Sequence, residues 1–153
     1  MIPDPPAAGR SFRFDGDWVV PRPRAELHRL LEDLEHYPDW WPEVRAVASL
    51  GPDDALVVVR SRLPYDLELH LHAVHRRADL LETSIDGDLV GWVRWRLDDA
   101  GDGATRLSFE QEVVVSGRLL GLVAYVVRPL LVWNHERMMA SAVRRLAGST
   151  TAP

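Results

Sequence analysis

Arg128-Pro-Leu-Leu-Val-Trp-Asn-His-Glu-Arg-Met-Met-Ala-Ser-Ala-Val-Arg-Arg-Leu146 is the stretch from which the fold can be read. Wound as a helix at about 100° per residue, it brings Leu131, Val132, Met138, Met139, Ala142, Val143 and Leu146 to one side and leaves Arg137, Ala140 and Arg144 on the other. His135 breaks this apolar stripe near its middle, at an angle close to Ala142 and Leu146. A helix with so long an apolar side needs a surface to cover, and the expectation is a curved sheet wrapped around it as a container.

The segment upstream supplies that sheet. From Val44 the hydrophobic pattern has period two, broken at short intervals by turn-forming residues: Gly51-Pro52-Asp53-Asp54, Leu63-Pro64, Arg77-Ala78-Asp79, Asp86-Gly87-Asp88 and the run Asp98 to Gly103. Six strands are predicted between these breaks, at 44–50, 55–63, 65–76, 80–86, 89–98 and 104–115. Connections this short imply antiparallel pairing, because a parallel pair needs a crossover of roughly a dozen residues or more. Ser116-Gly117 closes the last strand. Further upstream, Ser11 to Val20 alternates with Phe12, Phe14, Gly16, Trp18 and Val20 on one side, a seventh strand unless Asp15-Gly16 folds it into a small hairpin. Leu27, Leu30, Leu31 and Leu34 then mark a short helix over Ala25 to Glu35. Pro38 and Pro42 bracket Asp39-Trp40-Trp41, which leaves room for one more helical turn. The expected organisation is a leader without regular structure at 1–10, one α+β domain at 11–148 and a loose tail at 149–153.

Bulk properties narrow the function. At 153 residues the chain suits one domain that needs no disulfide or metal staple. It contains no cysteine, which excludes thiolate chemistry. The 18 basic residues are all arginine and are scattered, and a net charge of −5 argues against nucleic-acid binding. The apolar run Leu119 to Trp133 is interrupted by Arg128-Pro129 and is too short to span a bilayer, although contact with an interface is a lesser alternative. The N-terminus lacks a secretory h-region, so a cytoplasmic location is expected. Nothing in the sequence sets the oligomeric state.

With these elements in order, Ala25-Glu-Leu-His-Arg-Leu-Leu-Glu-Asp-Leu-Glu-His-Tyr-Pro-Asp-Trp-Trp-Pro-Glu-Val44 resembles the opening helices of the START-like helix-grip (SRPBCC) superfamily, in particular its polyketide cyclase/dehydrase and lipid-transport branch. Gly91-Trp-Val-Arg-Trp-Arg-Leu97, with its Gly-rich turn and Ala104-Thr-Arg-Leu-Ser-Phe109, is similar to that family's penultimate hairpin. The likeness covers roughly residues 12 to 147. It implies a helix-grip fold: a seven-stranded curved antiparallel sheet around a long C-terminal helix, two short helices after the first strand, and a deep cavity open at one end for an apolar ligand. Members range from carriers to enzymes, so the resemblance leaves the activity open.

Alternation then selects the cavity wall. The expected inner sets are Tyr65, Leu67, Leu69, Leu71 and Ala73; Leu89, Gly91, Val93, Trp95 and Leu97; and Leu107, Phe109, Gln111 and Val113. For 55–63 the preferred register places Val57, Val59, Ser61 and Leu63 inside, and a shift of one residue would instead turn Arg60 and Arg62 inward. The candidate ligand-binding residues are Trp41, Val59, Ser61, Leu69, Leu71, Ala73, Trp95, Phe109, Gln111, Met138 and Met139. His135 and Tyr65 are the candidate catalytic pair, His135 because an imidazole inside a cavity can act as general acid/base or hydrogen-bond a ligand carbonyl.

Glu68, His70 and His72 have a spacing that places them on one strand face about 6.6 Å apart, but no further ligand accompanies them. They are read as polar residues on a wet surface, with no metal site. Asp98 to Gly103 lacks the alternating acids of a calcium loop, and the position that should be Glu is Phe109. No P-loop, dinucleotide fingerprint, nucleophile elbow or His-Glu-x-x-His motif is present, and no cofactor is expected.

The leading expectation is a module that binds an apolar small molecule: a lipid, an isoprenoid or a polyketide-like compound. The first alternative is a cyclase/dehydrase-type enzyme working through His135. Similar aromatic polyketide cyclases tend to place arginine and tyrosine in the cavity, where this chain offers Leu69, Leu71 and Ala73. A second alternative is a partner-binding domain acting through its outer sheet face, around Val90, Trp92 and Arg94.

Overall fold

The computed structural model describes residues 11–60, 66–115 and 128–148, with the backbone alone for 128–131. The leader at 1–10, Ser61, Arg62, the Leu63-Pro64 turn, Tyr65, the Ser116-Gly117 closure, the Leu131 side chain and the tail at 149–153 lie outside the described residues. Of the apolar run from Leu119 to Trp133, only the part from Arg128 onward is described.

Seven strands form one antiparallel sheet: β1 (Ser11–Val20), β2 (Val44–Ser49), β3 (Asp54–Val59), β4 (Leu67–Arg77), β5 (Leu80–Gly87), β6 (Leu89–Gly101) and β7 (Ala104–Val115). Their order is β1-β7-β6-β5-β4-β3-β2. The strands from β2 to β7 make the meander that the short turns require, and β1 adds to the far edge by pairing with β7 from Ser11↔Val114 to Val20↔Thr105. β1 is therefore one continuous strand with no turn at Asp15-Gly16. Phe12 and Val20 are buried, with Arg13, Asp15 and Asp17 facing water.

Because β1 and β2 lie on opposite edges, the chain between them must cross the open side of the sheet, and the two short helices make that crossing. The first, α1 (Arg24–Glu32), packs on β6 and β7 through Leu27 and Leu31. It ends three residues before the expected end at Glu35. At Asp33 the backbone leaves the helix (φ −86°, ψ 77°), and its carboxylate accepts a hydrogen bond from His36 Nδ1 at 2.6 Å, a local bond that competes with helix continuation. Leu34 consequently sits in a 3₁₀ turn, Leu34–His36, which leads into α2 (Tyr37–Trp40) with Pro38 in its first turn.

The C-terminal helix, α3 (Arg128–Gly148), lies across the concave side. Met139, Ala142 and Leu146 are buried, with Ser141 beside them, and Arg137, Ala140 and Arg144 are exposed as the periodicity requires. Its C-terminal end is held by Arg22, which is only 5% exposed and whose Nε donates to the Leu146 carbonyl while Nη1 binds Glu26. A cation on the last carbonyls of a helix also complements its dipole. No helix among the described residues is long and apolar enough to cross a membrane.

Irregularities bend the sheet. Register shifts occur between Val44 and Ala46, Ala73 and His75, and Asp99 and Gly101, where one extra residue increases the local twist. At Gly91 strands β6 and β7 approach so closely that a Cβ would lie 1.9 Å from the Glu112 carbonyl oxygen, which only glycine avoids.

Candidate functional site

Two packed clusters occupy the concave side. Val20, Leu27, Leu97, Leu107, Ala142 and Leu146 fill the end beneath α1, and Phe12, Leu69, Ile85, Val113 and Val115 fill the other. Between sheet and α3 is a cavity of about 400 Å³, within the size range of roughly 300–1,000 Å³ typical of small-molecule sites. Val57, Val59, Leu69, Leu71, Ala73, Val93, Trp95, Phe109 and Gln111 line it from the strands, Trp41 from the end of α2, and His135, Met138 and Met139 from α3. Every described residue expected to touch a ligand is therefore on this wall, and the register of β3 is the one that turns Val57 and Val59 inward. Arg60 points to water, 3.7 Å from Asp66. Other inner-facing positions, among them Leu97, Leu107 and Val113, belong to the packed clusters and not to the cavity.

One polar pair lies inside the apolar wall. His135 Nε2 and Gln111 Oε1 are 2.8 Å apart. The imidazole stacks on Phe14, with centroids 3.5 Å apart and planes 11° from parallel, and meets Phe109 at a tilt. Burial among these rings holds its pKa down, to about 4 from the ordinary 6.5, so His135 is neutral at physiological pH. With Gln111 Oε1 as acceptor, Nε2 carries the proton and donates.

The cavity reaches the surface between the α1–α2 link and the β2–β3 turn, and this mouth was missed from the sequence. Glu32, Asp33, Glu35, Asp53 and Asp54 line it together with His75 and Arg76. The bulge at Ala73 and His75 explains the omission: it reverses the alternation of β4, so Arg76 comes to lie opposite the inward-facing Leu81. Arg76 Nη1 is 3.1 Å from Asp53 Oδ1, and Nη2 donates to the Pro52 carbonyl, fastening the turn to β4. Leu31, Leu34 and Tyr37 complete the helical side. The Tyr37 hydroxyl donates to the Leu31 carbonyl at 2.5 Å, and burial pushes its pKa up. Thr83 also lines the cavity. It faces inward from β5, a strand whose inner set the sequence reading did not assign.

On the outer face, the polar set is rearranged relative to expectation. His70 Nε2 and His72 Nδ1 both contact Asp54 Oδ1, at 3.0 and 2.9 Å. Hydrogen bonding from His72, with a further contribution from His70, holds the Asp54 carboxyl below its ordinary value. The partner of the histidines is thus Asp54 on β3, directly opposite His72 and diagonal to His70, and Glu68 has no part in the cluster. No group of three His, Cys, Asp or Glu side chains among the described residues is arranged to hold a metal ion.

The sequence matches the family described as polyketide cyclase / dehydrase and lipid transport over residues 20–136. Among curated proteins it finds no match. Solved structures share the fold. An aromatase/cyclase, Zhui, from Streptomyces sp. R1128 superposes with a TM-score of 0.74 at 16% identity, covering 91% of this chain and 93% of its own. A START superfamily protein from Mycobacterium smegmatis gives 0.68 at 16% identity, covering 88% and 98%. A protein from Thermus thermophilus gives 0.72 at 15% identity, covering 92% and 100%. At such identities the structural likeness is one of fold, and the family assignment rests on the sequence match. With that match spanning most of the chain and a seven-stranded sheet gripping a C-terminal helix in a START-like fold, the protein belongs to the polyketide cyclase/dehydrase and lipid transport family.

Proposed function

We propose that this protein is a binding module that holds an apolar small molecule, of lipid, isoprenoid or polyketide-like character, in the cavity between its sheet and α3. The observation that carries this reading is the cavity interior, which inside its charged mouth is aliphatic and aromatic apart from Thr83 and the Gln111–His135 pair. A site of this composition binds by removing apolar surface from water and uses a few polar groups for orientation. Trp41, Val59, Leu69, Leu71, Ala73, Trp95, Phe109, Met138 and Met139 would supply the contact area.

The cyclase-like alternative makes His135 a general acid/base. Such a group works best with a pKa near the operating pH, and a value of about 4 makes this imidazole a weak base. Hydrogen bonding to a ligand suits it better. The outer-face alternative is weakened by Arg94, which is paired with Glu82 at 2.9 Å and Glu110 at 3.7 Å and covers the Trp92 ring.

Native mass spectrometry of freshly purified protein, followed by organic extraction, tests the proposal. A near-stoichiometric apolar compound is the expected result. Protein that arrives empty and then takes up no apolar probe at millimolar concentration would overturn it. For the enzymatic alternative, His135→Ala should abolish turnover while leaving ligand affinity within about tenfold.

A further inference from the structure

The Gln111–His135 pair is complementary to a particular chemical group. Whichever way the amide is turned, one of the pair's two mutually bonded atoms donates and the other accepts. What remains for a third partner is then both an acceptor and a donor: imidazole Nδ1 with the amide NH₂, or Nδ1–H with the amide oxygen. The two lie on different sides of the imidazole, so one hydroxyl meets one of them; being donor and acceptor, it can bond to the Gln111 amide in either orientation. A carboxylate only accepts.

Charge on the wall leads to the same conclusion. Among the described residues lining the cavity, the sole permanent cation is Arg76, already engaged by Asp53 and by the Pro52 carbonyl. Around it at the mouth are Glu32, Asp33, Glu35 and Asp54. An anion entering here approaches a negative rim. It then loses hydration without meeting an unpaired counter-charge among the described residues, which is costly for any buried ion. At neutral pH the imidazole provides no positive charge either.

Resting on the binding reading above, we infer that the cavity selects by charge: it accepts an uncharged alcohol or phenol, with the hydroxyl on the Gln111 amide that His135 holds in place, and turns away carboxylates and phosphate-bearing lipids. Fatty acids and phospholipids are thereby excluded from the broader class of apolar ligands.

The test needs only the unmodified protein and three matched probes, naphthol, naphthalene and naphthoate, titrated by calorimetry at neutral pH. Naphthol is expected to bind about tenfold more tightly than naphthalene, the worth of one satisfied hydrogen bond, and naphthoate more weakly than either. Naphthoate binding as tightly as naphthol overturns the charge selection and leaves the binding module intact. Naphthalene binding as tightly as naphthol overturns the role of the hydroxyl. If none of the three binds at millimolar concentration, the inference falls together with the reading beneath it. As a second measurement, Gln111→Leu should remove the advantage of naphthol over naphthalene; an undiminished advantage in a variant that remains folded overturns the assignment to this pair.

Discussion

At His135 burial and hydrogen bonding act on one ring, and the consequence is measurable in stability. Its folded pKa of about 4 lies below the ordinary 6.5, so between those values the unfolded chain takes up a proton that the folded chain refuses. Stability is therefore full above the upper value and falls as pH drops toward the lower one, by up to roughly 3 kcal/mol. Urea denaturation at neutral pH and near the lower value should show that loss, and His135→Leu should remove most of the difference. An equal loss in the variant would assign it to other groups. The inward position of His135 was legible because one polar residue interrupted an apolar stripe, and Gln111 was legible from strand alternation. Their pairing was not legible, since it joins residues on different elements that only the packed structure brings within 2.8 Å.

Among the elements, the strands and their turns were read closely, and the departures occur where a local bond or an inserted residue overrides the period. Asp33 ends α1 early, and the bulge in β4 moves Arg76 to the mouth. At Gly91 the backbones of β6 and β7 leave no room for a Cβ, and Gly91→Ala should cost about 1–3 kcal/mol, since the added methyl has only backbone to displace. A change in urea midpoint measures this. Arg22 ties the linker after β1 to the end of α3. Arg22→Met keeps most of the volume but removes donors from Leu146 and Glu26, and a loss of about 1.5–3 kcal/mol is expected for hydrogen bonds made by a charged group. Arg106→Met provides the contrast. Its pair with Asp17 is also hydrogen-bonded at 2.8 Å, but the two side chains are 61% and 47% exposed, and such solvent-screened pairs contribute little to stability. Similar losses in both variants would count against the structural role of Arg22.

At the scale of the molecule, the inner face of the sheet is divided between packed core and open cavity, and substitutions should respond accordingly. Ala73→Trp projects into the cavity and is expected to weaken binding of an apolar probe severalfold with little change in thermal stability. Val113→Trp, at a residue 2% exposed within a packed cluster, should instead destabilise by about 1–3 kcal/mol through overpacking. Alternation does not distinguish these two inward-facing positions. The sequence by itself determined the element order, the antiparallel meander, the inward side of β4 as far as its bulge and of β6 and β7, and the apolar face of α3, because each follows from a local period of hydrophobicity imposed by backbone geometry. Only the tertiary structure decided which inward residues line empty space, that Asp54 holds His70 and His72, and that an acidic mouth surrounds Arg76. Those outcomes depend on sheet curvature, bulges and contacts between residues far apart in the chain, and no local period encodes them.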